Sequence, residues 1–181
     1  MNLACVILAA GEGTRMKSRV PKVLHDVCGI PMLGYVLSAV ESLGVRRITV
    51  VAGFGHQSVR DFVGSRAAVV VQKERKGSGH ALMQARKRLG GFSGGLLVLY
   101  GDTPLLRKET LERLVRDFRN TKAAGVLLST VLKRPTGYGR IVRNSTGYVA
   151  RIVEEANATD AEREIRLWFI PNELLRVLRS S

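Results

Sequence analysis

The sequence predicts an α/β protein: a doubly wound, mainly parallel sheet with an antiparallel hairpin in its C-terminal half. Three observations predict it. Short, nearly continuous runs of Val, Leu and Ile recur along the first hundred residues, as in strands covered on both faces. Helical patterns separate those runs, and βαβα order forces parallel pairing with crossovers. After Gly125 the pattern changes to strands joined by short turns.

Each element has its own signal. The apolar runs Leu3–Ala9, Arg47–Ala52, Ala67–Gln72 and Gly95–Tyr100 are the parallel strands. Pro31–Leu43 places Leu33, Val36, Leu37, Val40 and Leu43 on one helical face. Pro31 suits its first turn and Gly44 its stop. Gln57–Val63, Gly79–Leu89 and Glu109–Phe118 read as further helices. Val126–Leu132, Arg140–Arg143 and Tyr148–Glu154 read as strands, and Asn144-Ser145-Thr146-Gly147 as a hairpin turn. Pro171 is expected to open a last helix carrying Leu174, Leu175 and Leu178.

The chain has 181 residues, enough for one domain with a proper core, and residues 1–181 are read as a single domain. A hydrophobic content of 45% with 24% charged residues belongs to a globular protein. No apolar run approaches the roughly 20 residues that span a bilayer. The N-terminus lacks the basic region of a signal peptide, so a cytoplasmic protein without membrane contact is expected. Cys5 and Cys28 make neither a disulfide framework nor a zinc pattern. Net charge is +14. The basic residues are spread along the sequence and only 6% of residues are aromatic, so nucleic acid is not the expected partner.

The segment after the first strand carries the chemistry. In Leu8-Ala9-Ala10-Gly11-Glu12-Gly13-Thr14-Arg15-Met16, small residues clear space for a ligand against backbone N–H groups, which bind anions. Arg15 and Lys22 add positive charge where phosphates would lie. The segment is neither a GxxxxGK[ST] loop nor a full dinucleotide fingerprint. Asp102 closes an apolar run and precedes Pro104, a position suited to Mg²⁺ at a strand's carboxyl end, or to capping the next turn. Gln72 ends another run; its amide can meet both a donor and an acceptor on a base. Gly77 and Ser78 follow in a loop, and His80 reads as a structural residue at a helix start.

These residues resemble a family. LAAGEGTRM followed by Pro21-Lys22-Val23-Leu24-His25 is similar to the signature of the sugar-nucleotide pyrophosphorylases. Gly77-Ser78-Gly79-His80-Ala81, Tyr100-Gly101-Asp102-Thr103-Pro104-Leu105, Pro135–Ile141 and Ile152–Glu155 continue the likeness across nearly the whole chain. The sequence is similar to the N-terminal uridyltransferase domains of bacterial bifunctional N-acetylglucosamine-1-phosphate uridyltransferases/glucosamine-1-phosphate acetyltransferases. The resemblance implies a Rossmann-like nucleotidyltransferase fold and uridylyl transfer from UTP to N-acetylglucosamine-1-phosphate in cell-wall precursor synthesis. It implies that Arg15 and Lys22 are catalytic and that Asp102 binds Mg²⁺. It assigns Leu8, Ala9, Ala10, Gly11, Gly13, Gln72, Gly77 and Ser78 to the nucleotide, and Gly139, Glu154 and Asn157 to the sugar.

The chain departs from the pattern in two places. Glu164-Ile165-Arg166 runs straight into Leu167-Trp168-Phe169, where the family carries an E-[IV]-N-[ST]-G stretch whose Asn meets the sugar. The family's later strand, with an Asn that shares Mg²⁺, and its hexapeptide-repeat acetyltransferase half have no counterpart in these residues. A C-terminally truncated domain is therefore expected, one that binds UTP measurably and transfers uridylyl very slowly or not at all. Two alternatives stay open: another sugar-1-phosphate nucleotidyltransferase, or a nucleotide-binding domain with impaired catalysis.

Overall fold

The computed structural model describes residues 2–11, 13, 16–74, 76–131, 139–153, 155–165, 167–169 and 176–179. In chain order the elements are strand β1 (Leu3–Ala9), the short pair β2 (Asp26–Val27) and β3 (Ile30–Pro31), and helix α1 (Met32–Glu41). Then come β4 (Arg47–Ala52), α2 (His56–Val63), β5 (Ala68–Val71), α3 (Gly77–Gln84), β6 (Gly95–Tyr100) and α4 (Lys108–Asn120). Strands β7 (Gly125–Leu127), β8 (Thr130–Val131), β9 (Gly139–Arg143) and β10 (Val149–Val153) precede α5 (Asp160–Arg163), β11 (Leu167–Phe169) and β12 (Arg176–Arg179). They form two compact units, Met1–Val126 with Leu175–Ser181, and Leu127–Leu174.

The first unit holds a six-stranded sheet of order β5-β4-β1-β6-β12-β7. Strands β5, β4, β1 and β6 run parallel. The predicted bounds of β1, β4 and β6 coincide with the observed ones because each is a nearly continuous apolar run. Ala4, Cys5, Val6 and Ile7 are fully buried, and burial pushes the Cys5 thiol well above its usual range. Alternate residues of β1 face opposite layers. Ala4, Val6, Leu8 and Ala10 share a core cluster with Ala81 and Ala85. Leu33, Val36, Leu37 and Val40 of α1 are buried as the predicted stripe requires.

Three expectations need correction. The predicted helix 79–89 is α3 followed by a separate 3₁₀ turn, Arg86–Leu89. Fully buried Ala85 sits at the junction, where bonding tightens to i→i−3: its N–H donates to the Leu82 carbonyl and its carbonyl accepts from Arg88 N–H; the Arg47 guanidinium then takes the free carbonyls of Arg88 and Gly90. The predicted strand 126–132 is two short strands in different sheets, β7 and β8, with Leu128 and Ser129 between them; Leu132 lies outside the described residues. Residues 176–179 of the predicted last helix form β12, antiparallel to β6 from Arg176↔Val98 to Arg179↔Gly95. Lying between β6 and β7, this short segment finds ladder partners on both sides, which a single helical turn cannot supply.

The second unit is a four-stranded antiparallel sheet of order β10-β9-β11-β8. The predicted hairpin is β9–β10. Its turn is made by Asn144: Oδ1 accepts from the Thr146 and Tyr148 backbone N–H groups, and Gly147 adopts φ +83°. Thr159 caps α5 in a reciprocal box with Glu162. Among the described residues of this unit one charge is buried: Arg140, 2% exposed, pairs with Glu155 at 2.6 Å.

Arg140→Ala should strand Glu155 and lower stability by about 3 kcal/mol, given that Glu155 keeps some solvent contact. Urea unfolding of the two proteins measures the difference; an unchanged midpoint would show that the pair contributes nothing.

Candidate nucleotide site

In the six-stranded sheet the chain passes from β1 to β4 on one side and to β6 on the other. The strand order therefore reverses at β1, and a crevice opens beyond the carboxyl ends of β1 and β6. Ala9, Ala10 and Gly11 leave one side of it; Gly101 and Asp102 leave the other. The Gly101 N–H donates to the Leu8 carbonyl at 2.9 Å, extending the β1–β6 ladder to the edge.

The loop after β1 is shaped by its small residues. Leu8, Ala9 and Ala10 are buried. Gly13 has φ +62°, and a Cβ there would stand 2.7 Å from Lys22 Cβ. Gly53, directly after β4, would place a Cβ 2.7 Å from the Ala10 carbonyl oxygen. Gly55, at φ +63°, would place one 2.4 Å from Pro21 Cγ. The β4 exit loop thus lies against the β1 exit loop at backbone distance, and only glycine permits it.

Pro21 starts a 3₁₀ turn, Lys22–Leu24. Val23 is 3% exposed and fills the space above Gly101, where a Cβ would meet its Cγ1 at 3.1 Å. With Val23 anchored in the core, Lys22 reaches across the crevice and donates from Nζ to Asp102 Oδ2 at 2.5 Å. Asp102 is largely buried, and its other oxygen, Oδ1, is buried with no hydrogen-bond partner among the described residues. A buried carboxylate oxygen without a donor is an unmet demand for positive charge. A hard divalent cation that keeps water and phosphate oxygens as its other ligands suits that donor. Among the described residues no group of three or more His, Cys, Asp or Glu offers a complete cage for a metal.

Gln72 follows β5 on the same carboxyl edge. Its backbone N–H donates to the Ala52 carbonyl at 2.8 Å, and the residue is 6% exposed. Its side-chain Nε2 donates to the Gly77 carbonyl at 3.3 Å and lies 2.9 Å from His80 Nδ1. In the tautomer whose Nδ1 accepts from Gln72, His80 carries its ring proton on Nε2, both Gln72 amide hydrogens are engaged, and Gln84 Nε2 donates to the His80 carbonyl and not to the ring. The amide oxygen is left as the group available to a ligand. Tyr100 Oη donates to Ser78 Oγ at 2.8 Å, tying the end of β6 to the start of α3. Gly77 and Ser78 form the first turn of α3, whose N–H groups favour anions.

Of the residues predicted from sequence, this edge of the sheet brings together Leu8, Ala9, Ala10, Gly11, Gly13, Lys22, Gln72, Gly77, Ser78 and Asp102. Gly139, paired with Phe169, and exposed Asn157 belong to the second unit. Arg15 and Glu154 lie outside the described residues. The Tyr100–Ser78 link, the seat of Gln72 on His80 and the Gly53–Gly55 contact were not anticipated. A second glycine pair directly after a buried strand was the one available signal.

Residues 5–173 match the model of the MobA-like NTP transferase domain. The chain belongs to that family. It is 51% identical over 166 residues to the bifunctional protein GlmU of Pelotomaculum thermopropionicum, covering 92% of this chain and 36% of that protein. It is 47% identical over 164 residues to bifunctional protein GlmU of Halalkalibacterium halodurans, with 91% and 36% covered. The chain thus spans about a third of the length of these relatives. Its fold matches a Bacillus anthracis structure described as a glucose-1-phosphate thymidylyltransferase, with TM-score 0.77, 19% identity, and 98% of this chain and 71% of that one covered. It also matches UDP-glucose pyrophosphorylase complexed with UDP-glucose, with TM-score 0.73, 18% identity, and 99% and 76% covered. The mainly parallel α/β sheet with its antiparallel hairpin is therefore a nucleotidyltransferase fold. No described helix is long and apolar enough to cross a membrane.

Gly53→Ala tests the contact that shapes the loop. The added methyl must displace the Ala10 backbone, so stability should fall by about 1–3 kcal/mol. Thermal or urea unfolding checks it, and a wild-type midpoint would mean that the two loops are not held at this distance.

Proposed function

We propose that this chain transfers uridylyl from UTP to N-acetylglucosamine-1-phosphate, releasing pyrophosphate and forming UDP-N-acetylglucosamine. The observation that carries the reading is the Lys22–Asp102 pair, set at the strand-order reversal in a chain half identical to bifunctional protein GlmU of Pelotomaculum thermopropionicum. In this reaction a phosphate oxygen of the sugar phosphate attacks the α-phosphorus. The bond from that phosphorus to the bridging oxygen breaks, and pyrophosphate leaves with the electron pair. The attacking oxygen is already ionised, so no general base is required. The protein's task is to hold two polyanions in line and to offset charge.

The chain's residues fit those tasks. Lys22 brings a fixed cation to the crevice and orients Asp102. Asp102, through its unpartnered Oδ1, would hold Mg²⁺, which when bound neutralises phosphate oxygens. The small residues Ala9, Ala10, Gly11 and Gly13 let the nucleotide lie on the backbone. Arg15, by resemblance, faces the triphosphate. Gln72 offers its amide oxygen as an acceptor, because both amide hydrogens are engaged by Gly77 and His80. Uracil presents a donor, N3–H, where cytosine presents an acceptor, so the pairing favours UTP. Gly139, Glu154 and Asn157 are assigned to the sugar by resemblance. A cytoplasmic location follows from this role.

The sugar side favours a second reading, a domain whose nucleotide binding exceeds its transfer. The link from α5 to β11 consists of Glu164, Ile165 and Arg166 alone, where the resembled family carries a longer stretch with a sugar-binding Asn. Losing that contact should loosen the acceptor, and small misplacements can slow such reactions by about 100-fold.

Calorimetry with the four nucleoside triphosphates tests the base assignment. UTP should bind tightest, and Gln72→Ala should erode its advantage over CTP by about 1–3 kcal/mol. His80→Ala should erode the same preference through loss of positioning, with less effect on total triphosphate affinity. Equal affinity for all four nucleotides would remove the uracil assignment. Asp102→Asn should abolish Mg²⁺-dependent pyrophosphate release while the fold persists; retained magnesium dependence would show Asp102 to be only a turn residue.

A further inference from the structure

We propose that the opposite edge of the six-stranded sheet carries a second anion site, one that takes a compact oligophosphate. A cleft of about 470 Å³ opens there at the amino ends of β4 and β5. Arg46, Arg47, Arg66, Lys87 and Arg88 line it, and no carboxylate does. These cations come from three separate segments of the chain. They look dispersed along the sequence, and the fold gathers them.

The cluster is built. Arg47 is held by its Nη2, which donates to the carbonyls of Arg88 and Gly90, and its guanidinium lies 5.5 Å from the centre of the Phe92 ring. Its Nε and Nη1 donors have no protein partner among the described residues. Arg66 is clamped by Glu41 through two bonds of 2.8 Å, and its Nη2 also donates to Ser38 Oγ at 3.1 Å. The Arg66 bonds hold the Glu41 carboxyl below its usual range, so this one nearby carboxylate is already committed. Arg46, Lys87 and Arg88 have exposed side chains and no ion pair among the described residues. Glu41 offsets Arg66, but Arg46, Arg47, Lys87 and Arg88 around the one cleft repel one another unless an anion fills it. Arg47 is held in place by its carbonyl bonds with Nε and Nη1 left to donate, and Arg46 and Arg88 bring guanidinium groups that have no partner among the described residues to phosphate oxygens.

The size and lining identify the ligand class. The volume lies in the range of small-molecule sites, roughly 300–1,000 Å³. Phe92 is covered by Arg47, so it offers no open ring on which a base could stack, as single-stranded nucleic acid would want. The site therefore reads charge density and not bases, as a di- or triphosphate presents it. Its residues share nothing with the Lys22–Asp102 crevice at the carboxyl edge, and the inference is independent of the uridylyl reading.

The test uses the full chain with Lys22→Met, which weakens phosphate binding at the carboxyl edge, and inorganic tripolyphosphate as the probe in calorimetry. Tripolyphosphate should still bind, with orthophosphate much weaker. Adding Arg46→Ala and Arg88→Ala should weaken tripolyphosphate by about tenfold or more. Lys87→Glu should do so on its own, and circular dichroism should show the same fold for each variant. The proposal fails if the Lys22→Met protein binds no tripolyphosphate, or if Arg46→Ala with Arg88→Ala leaves its affinity unchanged. It also fails if these substitutions abolish binding of a single-stranded oligonucleotide while tripolyphosphate never binds, since the edge would then be a polyelectrolyte surface.

Discussion

The parallel pairing of β1 with β4 on one side and β6 on the other is the constraint from which the site follows. Leu8 sits opposite Val51 and Tyr100, and Ala9 sits opposite Ala52. That register brings the exits of three strands to one level. Because the chain leaves β1 in one direction along the sheet and returns for β6 on the other, no helix can close the gap above β1. Close packing at the strand exits holds that register: Gly53 lies against the Ala10 backbone and Gly101 under Val23, with no room for a Cβ at Gly53.

What fills the gap is decided by packing as much as by charge. Val23 inserts above Gly101, and that insertion delivers Lys22 to Asp102. Gly13, Gly53 and Gly55 let three loop segments approach at distances no side chain would allow. The result is a carboxylate fixed by a lysine on one oxygen and left unmet on the other. Such a group is costly in an empty protein and useful in one that receives a cation with its phosphates. The same economy appears at Gln72, where His80 and Gly77 fix the amide and leave one acceptor.

The parallel strands were legible because β1, β4 and β6 are nearly continuous apolar runs, a pattern that depends only on burial. The elements misread were those whose state depends on distant partners. Residues 176–179 become a strand because β6 and β7 flank them. Val126 and Thr130 part company because two sheets compete for one apolar stretch. At the site, Lys22, Gln72 and Asp102 could each be named from local context at a strand end. Their couplings could not: Lys22 and Asp102 are 80 residues apart, and Gln72 meets His80 across a loop with no periodic signal. The cationic cleft is the extreme case, since its charges look scattered until β4, β5 and the turn after α3 are placed side by side.

The central claim is that the carboxyl edge around β1 and β6 receives a metal-bound nucleoside triphosphate through Asp102 and Lys22. A crystal structure of the chain with UTP and Mn²⁺, with anomalous data at the manganese edge, tests it most directly. The account predicts a manganese peak within coordinating distance of Asp102 Oδ1, triphosphate oxygens beside Lys22, and the uracil against Gln72. A nucleotide bound elsewhere with no manganese at Asp102, for instance at the amino edge among Arg46 and Arg88, would contradict it.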